Sequence, residues 1–234
     1  MTRIVAFLGG ALFVASLVFC AWSYLVVWGT PDPATFVVLA GRPLTGAAAA
    51  AADVVLFALF ALHHSLFARE PTKRALARAL PDSMVRPLYV WTASLLLIAV
   101  CAAWVPIGGA LYRHRGPWAG LHAAVQLAGL WLTAAAVRLI DPFELAGIHD
   151  TSALQELQIA GPYRWVRHPI YLGWALMVFG SAHMTGDRLA FAVLSTAYLI
   201  VAIPWEERGL VRAFGGSYRA YQQRVRWRMI PYVY

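Results

Sequence analysis

Charged residues are scarce in this chain of 234 residues, of which only 13% are Asp, Glu, Lys or Arg. A soluble domain of this size carries about 25% charged residues, so the composition excludes an ordinary soluble protein. The chain is instead 61% hydrophobic and contains apolar runs long enough to cross a bilayer. The composition therefore predicts an integral membrane protein, and its ten Trp and ten Tyr suit the membrane–water interfaces.

Cysteine is nearly absent, since only Cys20 and Cys101 occur and each lies inside an apolar run. Two isolated cysteines supply neither a disulfide framework nor the spacing of a zinc site, so we interpret them as small buried residues and expect no metal. Acidic residues are also few, 11 against 19 Lys and Arg. The basic residues flank apolar segments instead of covering one soluble face, and we expect no nucleic-acid partner.

Six apolar segments are candidates for transmembrane helices, each of which needs about 20 apolar residues. They are residues 4–28, 46–68, 88–106, 119–140, 170–184 and 189–205. The sequence thus predicts an all-α polytopic membrane protein of about six transmembrane helices, the last two forming a C-terminal helical hairpin. We divide it into a four-span bundle at residues 1–140 and a core of loop, hairpin and tail at 141–234, together one structural unit.

The distribution of basic residues predicts the orientation of these spans. With six spans, 15 of the 19 Lys and Arg fall in connections on one side and four on the other. The positive-inside rule places the richer side, with both termini, in the cytoplasm. Residues 208–228 alternate apolar and basic side chains, which predicts a cytoplasmic amphipathic helix on an anionic leaflet, interrupted at Gly215-Gly216.

Several polar side chains fall on the predicted cytoplasmic face, at the ends of apolar segments. They are His63, His64, Arg138, Asp141, Glu144, Arg167, His168, Glu206 and Glu207. Ionisable groups near membrane spans are usually paired and often functional, so their agreement on one face predicts a polar pocket open to the cytosol. For His63 and His64, packing between helices remains the alternative interpretation.

The most informative segment is residues 161–173, a basic, turn-forming block followed directly by an apolar one. Pro169 suits the first position of a helix, where its missing N–H is not needed. The first turn of that helix is expected to present free N–H groups beside Tyr171, and Gly173 allows close approach of a backbone or ligand. Glu206 and Glu207 would accept hydrogen bonds from an ammonium group and would attract a sulfonium through its charge.

The segment 161–173, followed by Glu206-Glu207 and then by residues 210–231, resembles the isoprenylcysteine carboxyl methyltransferase superfamily. That superfamily also includes phospholipid N-methyltransferases and small-thiol S-methyltransferases. In the first half, residues 61–69, 73–74 and 86–90 resemble the branch that contains NnrU and the methanethiol S-methyltransferases.

The resemblance implies S-adenosylmethionine as methyl donor, with S-adenosylhomocysteine as product. It assigns cofactor binding to the motif residues Tyr163, Arg164, Arg167, His168, Pro169, Tyr171, Gly173, Glu206 and Glu207. In this assignment the two glutamates hold the donor's ammonium. Arg224 is the candidate on the acceptor side, and Arg224 or His63 and His64 would favour the thiolate of a thiol acceptor.

We therefore expect a multi-pass enzyme of the cell (inner) membrane, an S-adenosylmethionine-dependent methyltransferase with the lipid bilayer as its surroundings. Its acceptor would be a small thiol, or a lipophilic, prenylated or lipid-linked molecule. One alternative is a non-catalytic membrane protein of the NnrU type that binds a cofactor or partner. A channel or transporter would place polar residues at mid-membrane, where this sequence is nearly all apolar.

Overall fold

The computed structural model describes residues 2–30, 38–39, 42–67, 69–140 and 156–234, so Asp141 and Glu144 lie outside the described residues. Its α-helices in these ranges are α1 (Thr2–Leu25), α2 (Gly46–Phe67), α3 (Glu70–Leu76), α4 (Asp82–Ala102), α5 (Pro117–Val137), α6 (Pro169–Phe179), α7 (Gly186–Phe214) and α8 (Gly216–Arg224). Strand β1 (Val38–Leu39) pairs with β2 (Arg42–Pro43), and β3 (Ala110–Arg113) pairs with β4 (His183–Thr185). The predicted all-α class is confirmed.

Five helical segments in the described part of the chain are long and apolar enough to cross a bilayer. They are Ile4–Gly29, Gly46–Phe67, Met84–Ala102, Pro117–Val137 and Gly186–Phe214. Large apolar side chains such as Phe7, Leu59 and Leu127 are more than half exposed on them. Exposed apolar patches on this scale mark contact with lipid or another apolar partner, which confirms a polytopic membrane protein.

The segment 170–184, predicted as a full span, contains a shorter helix. Helix α6 has 11 residues, about 17 Å at 1.5 Å per residue, against a hydrocarbon core of about 30 Å. It ends at Gly180, and the Ser181 hydroxyl then donates to His183 O at 2.9 Å in the turn into β4. The polar turn ends the helix before the apolar sequence does.

The described residues pack into two compact units. The first contains α1 to α4 and the segment Thr185–Arg188, and the second contains α5, α6, α8 and α7 from Leu189 onward. The division at residue 140 proposed from the sequence stays a prediction, and the two units are defined by packing alone. Helix α5 groups with the C-terminal helices because its backbone packs closely against α6.

In the first unit, α4 packs against α1 and α2. The Trp91 indole N–H donates to Val5 O at 3.1 Å, and Cys20 and Cys101 are both buried and reduced. At one end, the fully buried Asp187 accepts hydrogen bonds from Trp104 Nε1 and from two backbone N–H groups. This carboxylate satisfies loop groups that would otherwise be buried without partners.

The second unit is built on the contact between α5 and α6. A Cβ added to Gly129 would lie 2.6 Å from Gly173 O, and one added to Gly173 would lie 2.7 Å from Gly129 O and still closer to Thr133 Oγ1. One turn away, the side-chain amide of Gln126 donates to Met177 O at 3.0 Å. Facing glycines thus let the two backbones touch, as small residues do between membrane helices.

Replacing Gly173 with alanine is expected to lower the melting temperature of the purified protein in detergent. The added methyl group has no room against α5, and overpacking of this kind costs about 1–3 kcal/mol. Gly120→Ala is the matched control, because it lies in α5 where a Cβ would meet nothing within 4 Å. Both substitutions gain the same helix propensity, so equal melting temperatures for the two variants would contradict the close contact.

The C-terminal part of the second unit contains the predicted interruption. Gly215 has φ +57° and separates α7 from α8. The tail was predicted to lie on a lipid leaflet, but apolar side chains along it pack against protein. Tyr218, Tyr221 and Val225 form a buried cluster covered by Leu157, Tyr163, Leu210, Val211 and Phe214. The sequence could not show this because an apolar face turned to lipid and one turned to protein have the same periodicity.

Candidate active site

Glu207 lies at the centre of a buried ionic cluster in the second unit. Its side chain is 6% exposed, and Oε1 accepts a hydrogen bond from Arg167 Nε at 2.6 Å and lies 3.4 Å from His168 Nε2. Oε2 accepts from Gln222 Nε2 at 3.2 Å and lies 3.4 Å from Arg228 Nε. Both oxygens are occupied by protein groups, which compensates the cost of burying this charge.

Arg167 connects this cluster to the C-terminal tail. Its Nη1 donates to the carbonyl oxygens of Val225 and Arg226 at 2.7 and 2.8 Å. The backbone N–H groups of Arg167 and His168 donate to the next two carbonyls of the tail at 3.0 and 2.7 Å. Four hydrogen bonds thus hold the extended chain after α8 against the residues that precede α6.

Glu206 has different surroundings from its neighbour. Its side chain is 45% exposed, and Oε2 accepts a hydrogen bond from the Tyr171 hydroxyl at 2.8 Å. The same oxygen lies 3.5 Å from His168 Nδ1, and the His168 ring stacks on Tyr171 with centroids 5.3 Å apart. Among the residues that the structure describes, Glu206 Oε1 has no hydrogen-bond partner, so this carboxylate can accept a donor group from a ligand.

The start of α6 explains why His168 and Tyr171 meet Glu206. Pro169 occupies the first helical turn, as predicted, and holds His168 outside the helix as its N-terminal flanking residue. The N–H groups of Tyr171 and Leu172 donate to His168 O at 3.1 and 3.2 Å. The free N–H groups expected beside Tyr171 are therefore partly used within the turn.

Tyr163 is partly buried and lies close enough to Glu206 to be affected by its charge. Burial, and then the negative charge of Glu206, raise the pKa of the Tyr163 phenol to about 12. The phenol therefore stays protonated at neutral pH and remains a hydrogen-bond donor. Its own backbone carbonyl accepts a hydrogen bond from the Tyr221 hydroxyl at 2.7 Å, which fixes the turn Gly161–Arg164 against α8.

Arg164 and Arg224, the two arginines that the sequence placed around the pocket, line one cavity. It has a volume of about 330 Å³, and its remaining lining comes from Ile159, Ala160 and Val225. The cavity therefore combines two guanidinium groups with an apolar surface, which suits a small anion that carries an apolar group.

His63 and His64 lie in the first unit, where both are in aromatic surroundings. The Tyr89 hydroxyl lies 3.0 Å from His64 Nδ1, and the His63 ring stacks on Phe67 with centroids 4.3 Å apart. Within the described part of the chain, neither ring nitrogen of His63 has a hydrogen-bond partner. These contacts are those of residues packed between helices, and a catalytic role for the pair stays a prediction.

Sequence reasoning missed Gln222 and Arg228, which complete the shell of Glu207, because neither lies in a recognisable motif. It named Gly173 as a cofactor residue. In the structure the space a Cβ would occupy there is filled by α5, and the role at the cofactor stays a prediction. Tyr218 belonged to the tail pattern, but its burial beside Glu207 was not foreseen. Its hydroxyl is buried without a hydrogen-bond partner among the described residues, and burial, followed by the charge of Glu207, raises its pKa.

Known proteins resemble this chain over most of its length. The family model described as phospholipid methyltransferase matches residues 120–217, which begin in α5 and end in α8. Methanethiol S-methyltransferase 2 of Bradyrhizobium diazoefficiens is 35% identical over 79% of this chain and 74% of its own length. Methanethiol S-methyltransferase 1 of the same organism is 33% identical over 95% of this chain and 81% of its own. No solved structure matches the chain at a significant level.

A more distant relative is Nurim of Xenopus laevis, 29% identical over 63% of this chain and 57% of its own length. The matched family segment contains Arg167, His168, Glu206 and Glu207. Identity above 30% to relatives that are covered over more than two thirds of their length establishes the relationship. The chain belongs to the family of membrane methyltransferases that includes the methanethiol S-methyltransferases.

Proposed function

We propose that this membrane methyltransferase takes its methyl group from S-adenosylmethionine and transfers it to a small thiol. The observation that carries the proposal is the half-exposed Glu206 carboxylate, held by Tyr171 and His168 beside the buried Arg167–Glu207 cluster. The names of the relatives support a thiol as acceptor. The excess of Lys and Arg in one set of connections supports a cell-membrane protein with both termini in the cytoplasm.

The site fits the amino-acid end of such a donor at Glu206 only. Its free oxygen can accept a hydrogen bond from the donor's ammonium. Glu207 is buried, accepts hydrogen bonds from Arg167 and Gln222, and lies 3.4 Å from nitrogens of His168 and Arg228. When bound, S-adenosylmethionine supplies a methyl group that is activated by the adjacent sulfonium. A carboxylate near that sulfonium would stabilise the ground state more than the transition state, so Glu206 is best placed at the ammonium, away from the methyl group.

The cavity lined by Arg164 and Arg224 is proposed to take the acceptor. Nearby positive charge favours the ionised form of an acid, so both guanidinium groups would lower the pKa of a bound thiol, and Ile159, Ala160 and Val225 would contact its alkyl group. The thiol proton leaves to water. Bound S-adenosylmethionine would supply the methyl group to this thiolate, its bond between sulfur and the methyl carbon breaking as the new carbon–sulfur bond forms. By aligning the thiolate for that transfer, the cavity could contribute about 7–11 kcal/mol.

Arg224→Gln is expected to lower kcat/KM for a small thiol about tenfold at pH 7 and to shift the alkaline rise of the pH profile upward by about one unit. The loss of one positive charge raises the pKa of the bound thiol, and one pKa unit corresponds to about 1.4 kcal/mol. Activity should therefore recover at high pH. Arg219→Gln removes an exposed arginine of α8 that does not line the cavity. A pH-independent loss, or equal losses in both variants, would contradict the assignment.

The proposal as a whole is tested by transfer of a labelled methyl group from S-adenosylmethionine in proteoliposomes. The acceptor panel contains short alkane thiols, a farnesylcysteine analogue and phosphatidylethanolamine. We expect label in the volatile thioether from the thiols. Label in the prenylated or lipid acceptor alone would support S-adenosylmethionine as donor but overturn the thiol as acceptor. No methyl transfer, together with no binding of the donor, would favour a non-catalytic protein.

A further inference from the structure

A second cavity of about 550 Å³ is formed by the C-terminal part of α7, by α8 and by the tail. Its lining residues are Pro204, Glu207, Arg208, Val211, Arg212, Gln222 and Arg228. Three of these carry positive charge and one carries negative charge. Because Glu207 is already paired with Arg167 at 2.6 Å, the cavity has an excess of positive charge that the protein does not neutralise.

Arg208 and Arg212 are the side chains responsible for this excess. Both are exposed on α7, and neither has a carboxylate partner among the residues that the structure describes. The Arg208 guanidinium lies over the Trp205 ring, 5.5 Å from its centroid. Arg228, in contrast, lies 3.4 Å from Glu207 Oε2 and donates to the Tyr234 hydroxyl, so it is already held in place.

The position of the two arginines along α7 gives the depth of the cavity in the bilayer. The helix carries no charged residue from Leu189 to Trp205, and four charged residues follow between Glu206 and Arg212. Tryptophan is enriched at the membrane–water interface. Val201, Trp205, Arg208 and Arg212 follow one another at spacings of four, three and four residues, so they share one helix face. Val201 is 57% exposed and Trp205 is 45% exposed. This helix face is therefore apolar in the membrane-spanning part of α7 and basic where the helix leaves it.

We propose that this cavity binds the phosphate of an acidic membrane phospholipid, with Arg208 and Arg212 contacting the headgroup and an acyl chain lying along Val201 and Trp205. Arginine is suited to bind phosphate through two parallel hydrogen bonds. A soluble anion would contact the two guanidinium groups but not the exposed apolar side chains of the same helix face. Because basic and apolar side chains share one face of α7, a lipid is favoured over free phosphate.

The test uses the full chain in a neutral detergent, titrated with phosphatidylglycerol or phosphatidylcholine in mixed micelles. Melting temperature reports stabilisation, and native mass spectrometry counts retained lipid. Each arginine near an anionic surface contributes about 1 kcal/mol, so we expect half-maximal stabilisation to need about fivefold more phosphatidylglycerol for Arg208→Gln or Arg212→Gln and about 25-fold more for the double variant. Phosphatidylcholine should give no saturable effect.

Arg219→Gln is the matched control, since it removes the same charge from an exposed position outside the cavity. It should titrate like the unmodified protein. If Arg219→Gln weakens stabilisation by phosphatidylglycerol equally, the attraction is non-specific and the proposal is overturned. Inorganic phosphate or glycerol phosphate giving the same saturable stabilisation would also overturn it, because the acyl chain would then contribute nothing. The result is independent of methyl transfer, since no catalytic step is measured.

Discussion

Removing the carboxylate of Glu207 should destabilise this protein more than any other single change at the candidate site. Glu207→Ala would leave Arg167 buried without its counter-charge, and breaking a buried ion pair in this way costs about 3–5 kcal/mol. For a chain of this length we expect the melting temperature in detergent to fall by about 10 °C. Expression as folded protein should fall with it. Thermal unfolding of the purified protein, followed by loss of monodisperse material, measures the effect.

Two comparison variants distinguish the loss of the ion pair from a general loss of stability. Glu206→Gln changes the adjacent, half-exposed carboxylate and should leave the melting temperature unchanged. In Arg167→Met with Glu207→Leu both buried charges are absent, so much of the lost stability should return. The return should be incomplete because the carbonyls of Val225 and Arg226 also lose their donor. A Glu207→Ala protein as stable as the unmodified one would show that the cluster does not hold the tail.

Two neighbouring glutamates with opposite surroundings mark the limit of what the sequence could predict. The sequence predicted that the glutamates and the His168-Pro169 motif lie on the same face. In the structure both glutamates lie within 4 Å of the His168 ring. Consecutive residues of an α-helix point about 100° apart, so the two side chains have different surroundings, and in this structure one faces inward and the other outward. The sequence could not decide which, because this depends on where Arg167 and the tail lie.

For the fold, too, the sequence predicted which segments form helices better than it predicted what those helices pack against. Five of the six predicted spans correspond to long apolar helices, because length and composition decide whether a segment can cross a bilayer. Four of them begin and end within four residues of the prediction, whereas α7 continues to Phe214, nine residues beyond the predicted end. Short α6 was overestimated, since Gly180 and the turn after it end the helix inside an apolar stretch. The packing of Gly173 against Gly129 was also invisible, because a glycine that admits a ligand and one that admits a helix look alike in sequence.

Glu206→Gln should weaken binding of S-adenosylmethionine and S-adenosylhomocysteine by about tenfold to one-hundredfold. A hydrogen bond to a charged group contributes about 1.5–3 kcal/mol, which corresponds to that range of affinity. Titration calorimetry with S-adenosylhomocysteine gives the dissociation constant without turnover. Tyr171→Phe should have a smaller effect, since it removes only the hydroxyl that holds Oε2 of this carboxylate at 2.8 Å.

The ligand itself supplies the sharper control for this prediction. An analogue of S-adenosylhomocysteine that lacks the α-amino group cannot donate to Glu206, so it should bind the unmodified protein and Glu206→Gln with the same affinity. The loss should appear only with the amino-bearing ligand, because the substitution removes a charge–ammonium interaction and leaves the shape of the pocket unchanged. If the variant loses affinity equally for both ligands, Glu206 acts through the pocket structure. If it loses affinity for neither, the donor's ammonium is bound elsewhere.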